Sequence, residues 1–242
     1  MANIKALGGF SVLQEQVAIV KNNISLALAH RQEEKVTGQD VILVGVTKNH
    51  PVDIVEQALA IGIYNIGENR VQEAKSKHEV LKGNGCWHLI GHLQTNKVKQ
   101  AVEIFDIIES VDSERVLSAI DNEAGKLGKT QRILIQINVA QEEQKSGFSV
   151  QDYRAILPKL TTFENIECCG VMVIAPVAEN PETVRPVFAQ GYALFKEMQK
   201  VIPNAAYLSM GMTHDYMVAI EEGANIIRVG TALFGARDYS VK

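Results

Sequence analysis

Short runs rich in Val, Ile and Leu alternate with amphipathic stretches along nearly all of this 242-residue chain. The runs read as strands at 41–46, 64–66, 86–90, 106–111, 132–139, 168–174, 206–209 and 225–229. Helical patterns separate most of them, at 51–60, about 69–81, 95–102, 113–126, 149–160, 181–201 and 213–222. A first helix is expected over 11–34, where Leu13, Val17, Val20, Ile24 and Leu28 recur every three or four positions. Local signals agree with this division. Pro51 starts one helix and Gly62 stops it, Thr95, Ser113 and Thr213 are expected caps, and Gly83-Asn84-Gly85 is a turn. The eight strands repeat every 24 residues or so, enough for a parallel strand with its crossover helix. Several are near-continuously apolar, as strands covered on both faces should be. The best solution is an α/β fold: a single (β/α)8 TIM barrel spanning 1–242, with an extra N-terminal helix. An open doubly wound sheet is the alternative, but eight consecutive units in a chain of this size favour closure.

Composition removes several functions. The net charge is −4 and the pI about 5.9, and Lys97-Val98-Lys99 is only a small basic spot, so no nucleic-acid partner is expected. No run of apolar residues is long enough to span a membrane, and the opening MANIKALGGF has no signal-peptide pattern. Cys86, Cys168 and Cys169 make neither a disulfide framework nor a C-x-x-C pair, which fits a reducing, cytoplasmic setting. His88 and His92 lack cysteine or acidic neighbours at zinc spacing, so no metal is expected and both histidines read as structural. Glu142 and Glu143 read as a solvated loop.

In a barrel of this kind the working residues lie at the carboxyl ends of the strands. The first strand runs straight into Thr47-Lys48-Asn49-His50-Pro51. A lysine held there, desolvated and close to other groups, is favoured in its neutral, nucleophilic form. The seventh ends in Ser209-Met210-Gly211-Met212-Thr213, read as opening a helix, and the eighth in Arg228-Val229-Gly230-Thr231. Loops after strands 7 and 8 are the usual phosphate site of such barrels, and helix N-termini supply N–H groups to an anion. Asn69 and Asn138 suit either a ring substituent or a turn cap. A lysine, two phosphate loops and an arginine at neighbouring strand ends suggest pyridoxal 5'-phosphate (PLP). Its aldehyde would meet the lysine, its phosphate the loops, and its ring nitrogen the arginine.

The same residues carry a resemblance. Val46-Thr-Lys-Asn-His-Pro51, Gly67-Glu-Asn-Arg-Val-Gln-Glu73, Trp87-His-Leu-Ile-Gly-His-Leu-Gln-Thr-Asn-Lys97, Gln144-Lys-Ser-Gly147, Leu208-Ser-Met-Gly-Met-Thr-His-Asp215 and Arg228-Val-Gly-Thr-Ala-Leu-Phe-Gly235 are together highly specific. The chain resembles the pyridoxal phosphate homeostasis protein family, related to the N-terminal barrel of alanine racemase (PLP fold type III). The resemblance implies PLP held as an internal aldimine on Lys48. It places the phosphate among Ser209, Gly211, Met212, Gly230 and Thr231, with Asn69 and Met172 lining the ring and Arg228 at the ring nitrogen. An arginine there stays charged and cannot hold a proton on the pyridine as a carboxylate can, so the ring is a weaker electron sink. Thr47 and Thr213 stand where serine is common in the family and Arg70 where an aromatic is common; Thr213 keeps the hydroxyl.

Three functions compete at this point. One is a non-catalytic, monomeric PLP carrier serving intracellular PLP homeostasis, with apo PLP-dependent enzymes as candidate recipients. Another is an amino-acid racemase-like enzyme, and the third a cofactor-free Schiff-base aldolase for a phosphorylated sugar. The racemase reading is disfavoured because little chain follows the eighth strand and no tyrosine or cysteine suits a second acid/base role. Tyr64 and Tyr207 are expected to pack as strand residues.

Overall fold

A computed structural model describes residues 2–35, 37, 40–142 and 144–235. Glu143 lies outside the described residues. The eight strands are β1 (Ile42–Val46), β2 (Asn65–Glu68), β3 (Cys86–Leu89), β4 (Ile107–Val111), β5 (Gln131–Ile137), β6 (Ile166–Val173), β7 (Tyr207–Met212) and β8 (Ile226–Val229). All pair in parallel and in sequence order, and β1 pairs with β8 to close the barrel. The helices after the strands are α2 (Val52–Ala60), α3 (Val71–Val80), α4 (Val98–Ile104), α5 (Glu114–Lys126), α6 (Val150–Ile156), α7 (Arg185–Val201), α8 (Tyr216–Glu221) and α9 (Thr231–Phe234). The extra N-terminal helix is α1 (Ala2–His30). Among the described residues no helix is long and apolar enough to cross a membrane.

Two cores result from the two faces of each strand. The outer one lies between barrel and helices and is filled by residues such as Trp87, Leu89, Ile108, Phe188 and Phe195. The inner one holds Val44, Ile107, Leu134, Cys169, Met172 and Ile226. Tyr207 packs against this inner core, whereas Tyr64 precedes its strand and is 58% exposed. The expectation that Tyr64 packs in a strand is thus corrected: β2 begins one residue later, leaving its side chain outside both cores.

Several boundaries differ from the sequence reading for identifiable reasons. The first helix begins nine residues before 11 and ends at His30, where Arg31 turns to donate from Nε and Nη2 to Ile220 O and Ala224 O, both at 2.6 Å. Ile220 O lies in the last turn of α8, the favourable end of that helix for a positive charge, and Ala224 O lies in the turn that follows it. Ser113 and Ser149 cap α5 and α6 through Val116 N and Asp152 N. Thr95 instead opens a 3-10 turn, Thr95–Lys97, with α4 starting behind it. Thr213 caps no helix either: α8 begins at Tyr216, and Asp215 Oδ1 accepts the Met212 N–H at 2.6 Å.

Candidate functional site

A cleft of about 300 Å³ opens at the carboxyl ends of the strands. It brings together Lys48, Asn69, Met212, Arg228, Gly230 and Thr231 from the residues that the sequence singles out. Val46, Ile90, Ile174, Thr213 and His214 complete its lining. A larger hollow of about 540 Å³ lies between α1, α2 and α9, walled by Val12, Leu13, Ile54, Leu233 and Phe234. Among the described residues, that hollow touches the strand ends only through Thr231 and is lined by no cation. The smaller cleft, at the end of the barrel where ligands bind, is therefore the candidate site.

Lys48 sits in a turn pinned on both sides. Thr47 N donates to Gly67 O at 3.1 Å, and His50 N closes the turn on Thr47 O at 3.0 Å. Asn49 adopts φ of 60°, a left-handed conformation that asparagine tolerates better than most residues. Lys77 on α3 supports the turn from beneath. Its Nζ donates to Thr47 O at 2.8 Å and to Glu68 Oε1 and Glu73 Oε1 at 2.7 Å each. Glu68 Oε1 also accepts from Thr47 Oγ1 at 2.6 Å, and Glu73 Oε1 from Asn49 N at 2.6 Å. The residues before and after Lys48 are thus tied to one buried ammonium. Burial pushes the Glu68 carboxyl up, against the opposing pull of Lys77.

Beneath the cleft runs a chain of buried polar groups. Arg228 Nη1 donates to Ser209 Oγ at 2.6 Å and Nη2 to Val173 O at 3.0 Å. Ser209 Oγ donates in turn to Glu109 Oε2 at 2.5 Å, and Glu109 Oε1 lies 2.6 Å from His88 Nδ1. His88 Nε2 faces Asn65 Oδ1 at 3.1 Å. Burial lowers the Arg228 guanidinium, while Glu109 and Asp215 favour its charge. Burial opposes charge on His88 as well, yet its contacts with Cys86 and Glu109 prevail and raise it to about 9. Glu109 is held below the usual carboxylate range: burial works against its charge, but His88, Arg228 and Ser209 together outweigh it.

Three expected ligand residues lie off the cleft lining. Met172 is fully buried in the inner core, level with Ser209 across the β6–β7 pairing. Ile174, two residues on and so on the same face, takes the lining position above it. Ser209 is fully buried, and its hydroxyl is committed to Arg228 and Glu109. Gly211 has φ of 94° within a register shift between Ser209 and Met212, and a Cβ there would come within 2.6 Å of Ala219 Cβ. The bulge carries Met212 level with Arg228. Asn138 serves its own turn, donating from Nδ2 to Glu142 O at 2.8 Å. Ile90 and Ile174 were detectable as the last apolar residues of their strands; His214 carried no signal beyond following a strand end.

The alanine racemase N-terminal domain model matches residues 17–238. The pyridoxal phosphate homeostasis protein of Aquifex aeolicus is 41% identical over 199 residues, covering 81% of this chain and 87% of that protein. That of Pasteurella multocida is 33% identical over 233 residues, covering 94% and 99%. Among solved structures, PipY of Synechococcus elongatus without PLP superposes with a TM-score of 0.81 at 37% identity, covering 92% of this chain and all of that one. The PLP-bound form of PipY gives 0.79 at 36% identity, with the same coverage. Alanine racemase of Clostridium difficile shares the fold, with a TM-score of 0.71 at 15% identity, over 93% of this chain and 60% of the racemase. The chain belongs to the pyridoxal phosphate homeostasis protein family and is built on the alanine racemase N-terminal barrel.

Proposed function

We propose that this chain binds PLP in the strand-end cleft, joined covalently to Lys48 Nζ, and serves PLP homeostasis as a cytoplasmic, monomeric carrier rather than as an enzyme. The observation that carries this reading is the meeting of Lys48, Arg228 and the Gly230-Thr231 start of α9 around one small cleft. The donor set suits the group. A cleft of about 300 Å³ fits a single small ring better than a larger ligand. The Thr231 and Ala232 amides precede the hydrogen bonds that Leu233 N and Phe234 N make to Gly230 O, and with the Thr231 hydroxyl they suit a phosphate. Asn69 Oδ1, in the cleft lining, is buried without a partner among the described residues and can accept from a ligand hydroxyl. When bound, PLP supplies an aldehyde for an amine and a ring that withdraws electrons.

The chain's own residues favour holding over turnover. Arg228 stays cationic against Glu109 and donates hydrogen bonds, so it does not place a proton on a ring nitrogen. Among the described residues lining the cleft there is no carboxylate, tyrosine or cysteine, which leaves His214 as the one side chain besides Lys48 that could move a proton there. PipY, solved with PLP bound, supports the choice of ligand over a phosphorylated sugar. Apo PLP-dependent enzymes are the recipients this role implies.

Borohydride treatment of the protein incubated with PLP is expected to fix one pyridoxyl mass on Lys48, located by peptide mapping, and Lys48→Ala is expected to abolish it. No added mass, or mass on another lysine with Lys48→Ala unaffected, overturns the assignment. Sustained racemisation of free amino acids that Lys48→Ala abolishes overturns the carrier role and leaves the binding site standing.

A further inference from the structure

The least expected feature of this barrel is the ionic cluster at its centre, where inner-core apolar side chains would pack without desolvation cost. We propose that Glu109, braced by His88, is a positioning residue for Arg228 that sets its orientation and its charge balance at the cleft floor from the far side of the barrel. The inference rests on the reading of Arg228 as the ligand's ring partner.

Geometry carries it. His88, Glu109 and Ser209 have no exposed surface, and Arg228 is 3% exposed. Glu109 uses both carboxylate oxygens: Oε1 on His88 Nδ1 at 2.6 Å, Oε2 on the Ser209 hydroxyl at 2.5 Å. Ser209 donates its only proton to Glu109, so its oxygen must accept from Arg228 Nη1, as the 2.6 Å contact shows. The direction of each bond is thereby dictated by the carboxylate. Val173 O takes Nη2 at 3.0 Å, and two acceptors on different strands orient the plane of the guanidinium. Both nitrogens of His88 face oxygen acceptors, Glu109 and Asn65 Oδ1, which suits a ring protonated on both. The cluster then holds two cations, His88 and Arg228, on one carboxylate. Among the described residues, the other charged or titratable groups around it are Cys86 Sγ, 3.6 Å from His88 Nε2, Asp215, whose charge bears on Arg228, and Lys48 and His214, which share the cleft lining with Arg228. A buried group of this kind is a poor source of stability compared with apolar packing. What it provides is a fixed cation beneath the cleft, relayed through β3, β4, β7 and β8.

The test uses the full chain, PLP as the probe, and two variants. Glu109→Gln keeps the shape and removes the charge. Ser209→Ala leaves the His88–Glu109 pair and the 4.0 Å approach of Arg228 Nη1 to Glu109 Oε2 intact and removes only the hydrogen-bonded relay between them, which keeps the test open if Glu109→Gln unfolds. Both are measured for PLP affinity, for the pH midpoint of the visible absorption band of bound PLP, and for thermal stability. Ser209→Ala is expected to remain folded, to keep Lys48 as the borohydride-trapped residue, to bind PLP about tenfold more weakly, the loss of one hydrogen bond to a charged group, and to shift the midpoint. A folded Ser209→Ala with unchanged affinity and midpoint overturns the inference, because a merely structural cluster would change stability alone. A parent protein that takes up no PLP overturns the cofactor reading and, with it, this inference; a parent that loads while the variants load identically overturns only the inference.

Discussion

Replacing Lys77 with methionine isolates the device that holds the Lys48 turn. Methionine keeps most of the side-chain volume and removes the ammonium. Three acceptors each lose the ammonium and keep one other donor: Thr47 O, Glu68 Oε1 and Glu73 Oε1, at 2.8, 2.7 and 2.7 Å from Nζ, retain His50 N, Thr47 Oγ1 and Asn49 N. Glu68 suffers most, since it is fully buried and its Oε2 already has no partner among the described residues. Removing one member of a buried pair costs about 3–5 kcal/mol, most of it the uncompensated charge left behind. Glu68 has an escape, because burial already pushes its carboxyl up and Lys77 is the main force holding it down. Without Lys77 the folded state keeps a proton on Glu68 that the unfolded chain gives up at lower pH. Stability of the variant therefore falls as pH rises from the unfolded carboxylate range through the raised folded value, and the penalty grows towards neutrality. A loss of about 3 kcal/mol at neutral pH corresponds to about 6–12 °C in Tm for a domain of this size. Thermal unfolding of parent and variant at acidic and neutral pH measures it. Adding Glu68→Gln to Lys77→Met should recover part of the loss. A Tm at neutral pH within about 2 °C of the parent's, or a penalty independent of pH, refutes the reasoning.

Two further outcomes follow from other parts of the molecule. Gly91→Ala would bring a Cβ within 2.3 Å of Asn69 O and 2.7 Å of Asn69 Cα, backbone that must shift. A loss of about 1–3 kcal/mol by chemical denaturation is expected, with weaker PLP binding because Asn69 lines the cleft; unchanged binding would show that Asn69 does not touch the ligand. His88 is raised from 6.5 to about 9, so its contribution to stability is complete below 6.5 and lost as pH rises through about 9. Tm measured from pH 6 to 10 should decline over that window in the parent and much less in His88→Asn; parallel profiles would contradict a protonated His88 in the fold.

The path from sequence to site was uneven, and the reasons are physical. Lys48, Arg228, Gly230 and Thr231 were legible because each combines a distinctive chemistry with a place at or near a strand's carboxyl end. Ser209 and Met172 were expected at the ligand and lie one layer lower. Depth inside a barrel depends on the register between strands and on the bulge at Gly211, neither of which periodicity encodes. Lys77 gave no signal, since a lysine among Glu, Gln and Ser on an amphipathic helix reads as a solvated face. Only the packing of α3 against the β1 turn turns that face inward. His88 read as a structural histidine, and Glu109 falls unremarked within the strand expected at 106–111. Their pairing spans 21 positions, and no local pattern joins them.

What the sequence determined by itself is the repeat. Eight apolar runs with amphipathic segments between them favour a closed parallel barrel over an open doubly wound sheet, and strand-end position then points to Lys48 and Arg228. Tertiary structure alone decided which side chains share a layer. It set Ser209 between Arg228 and Glu109 rather than in the cleft, and placed Lys77 beneath Lys48. Hydrophobic periodicity reports which face a residue points to, since burial acts on each residue separately. Layer, register and charge pairing depend on residues far apart in the chain, and exist only once the strands have met.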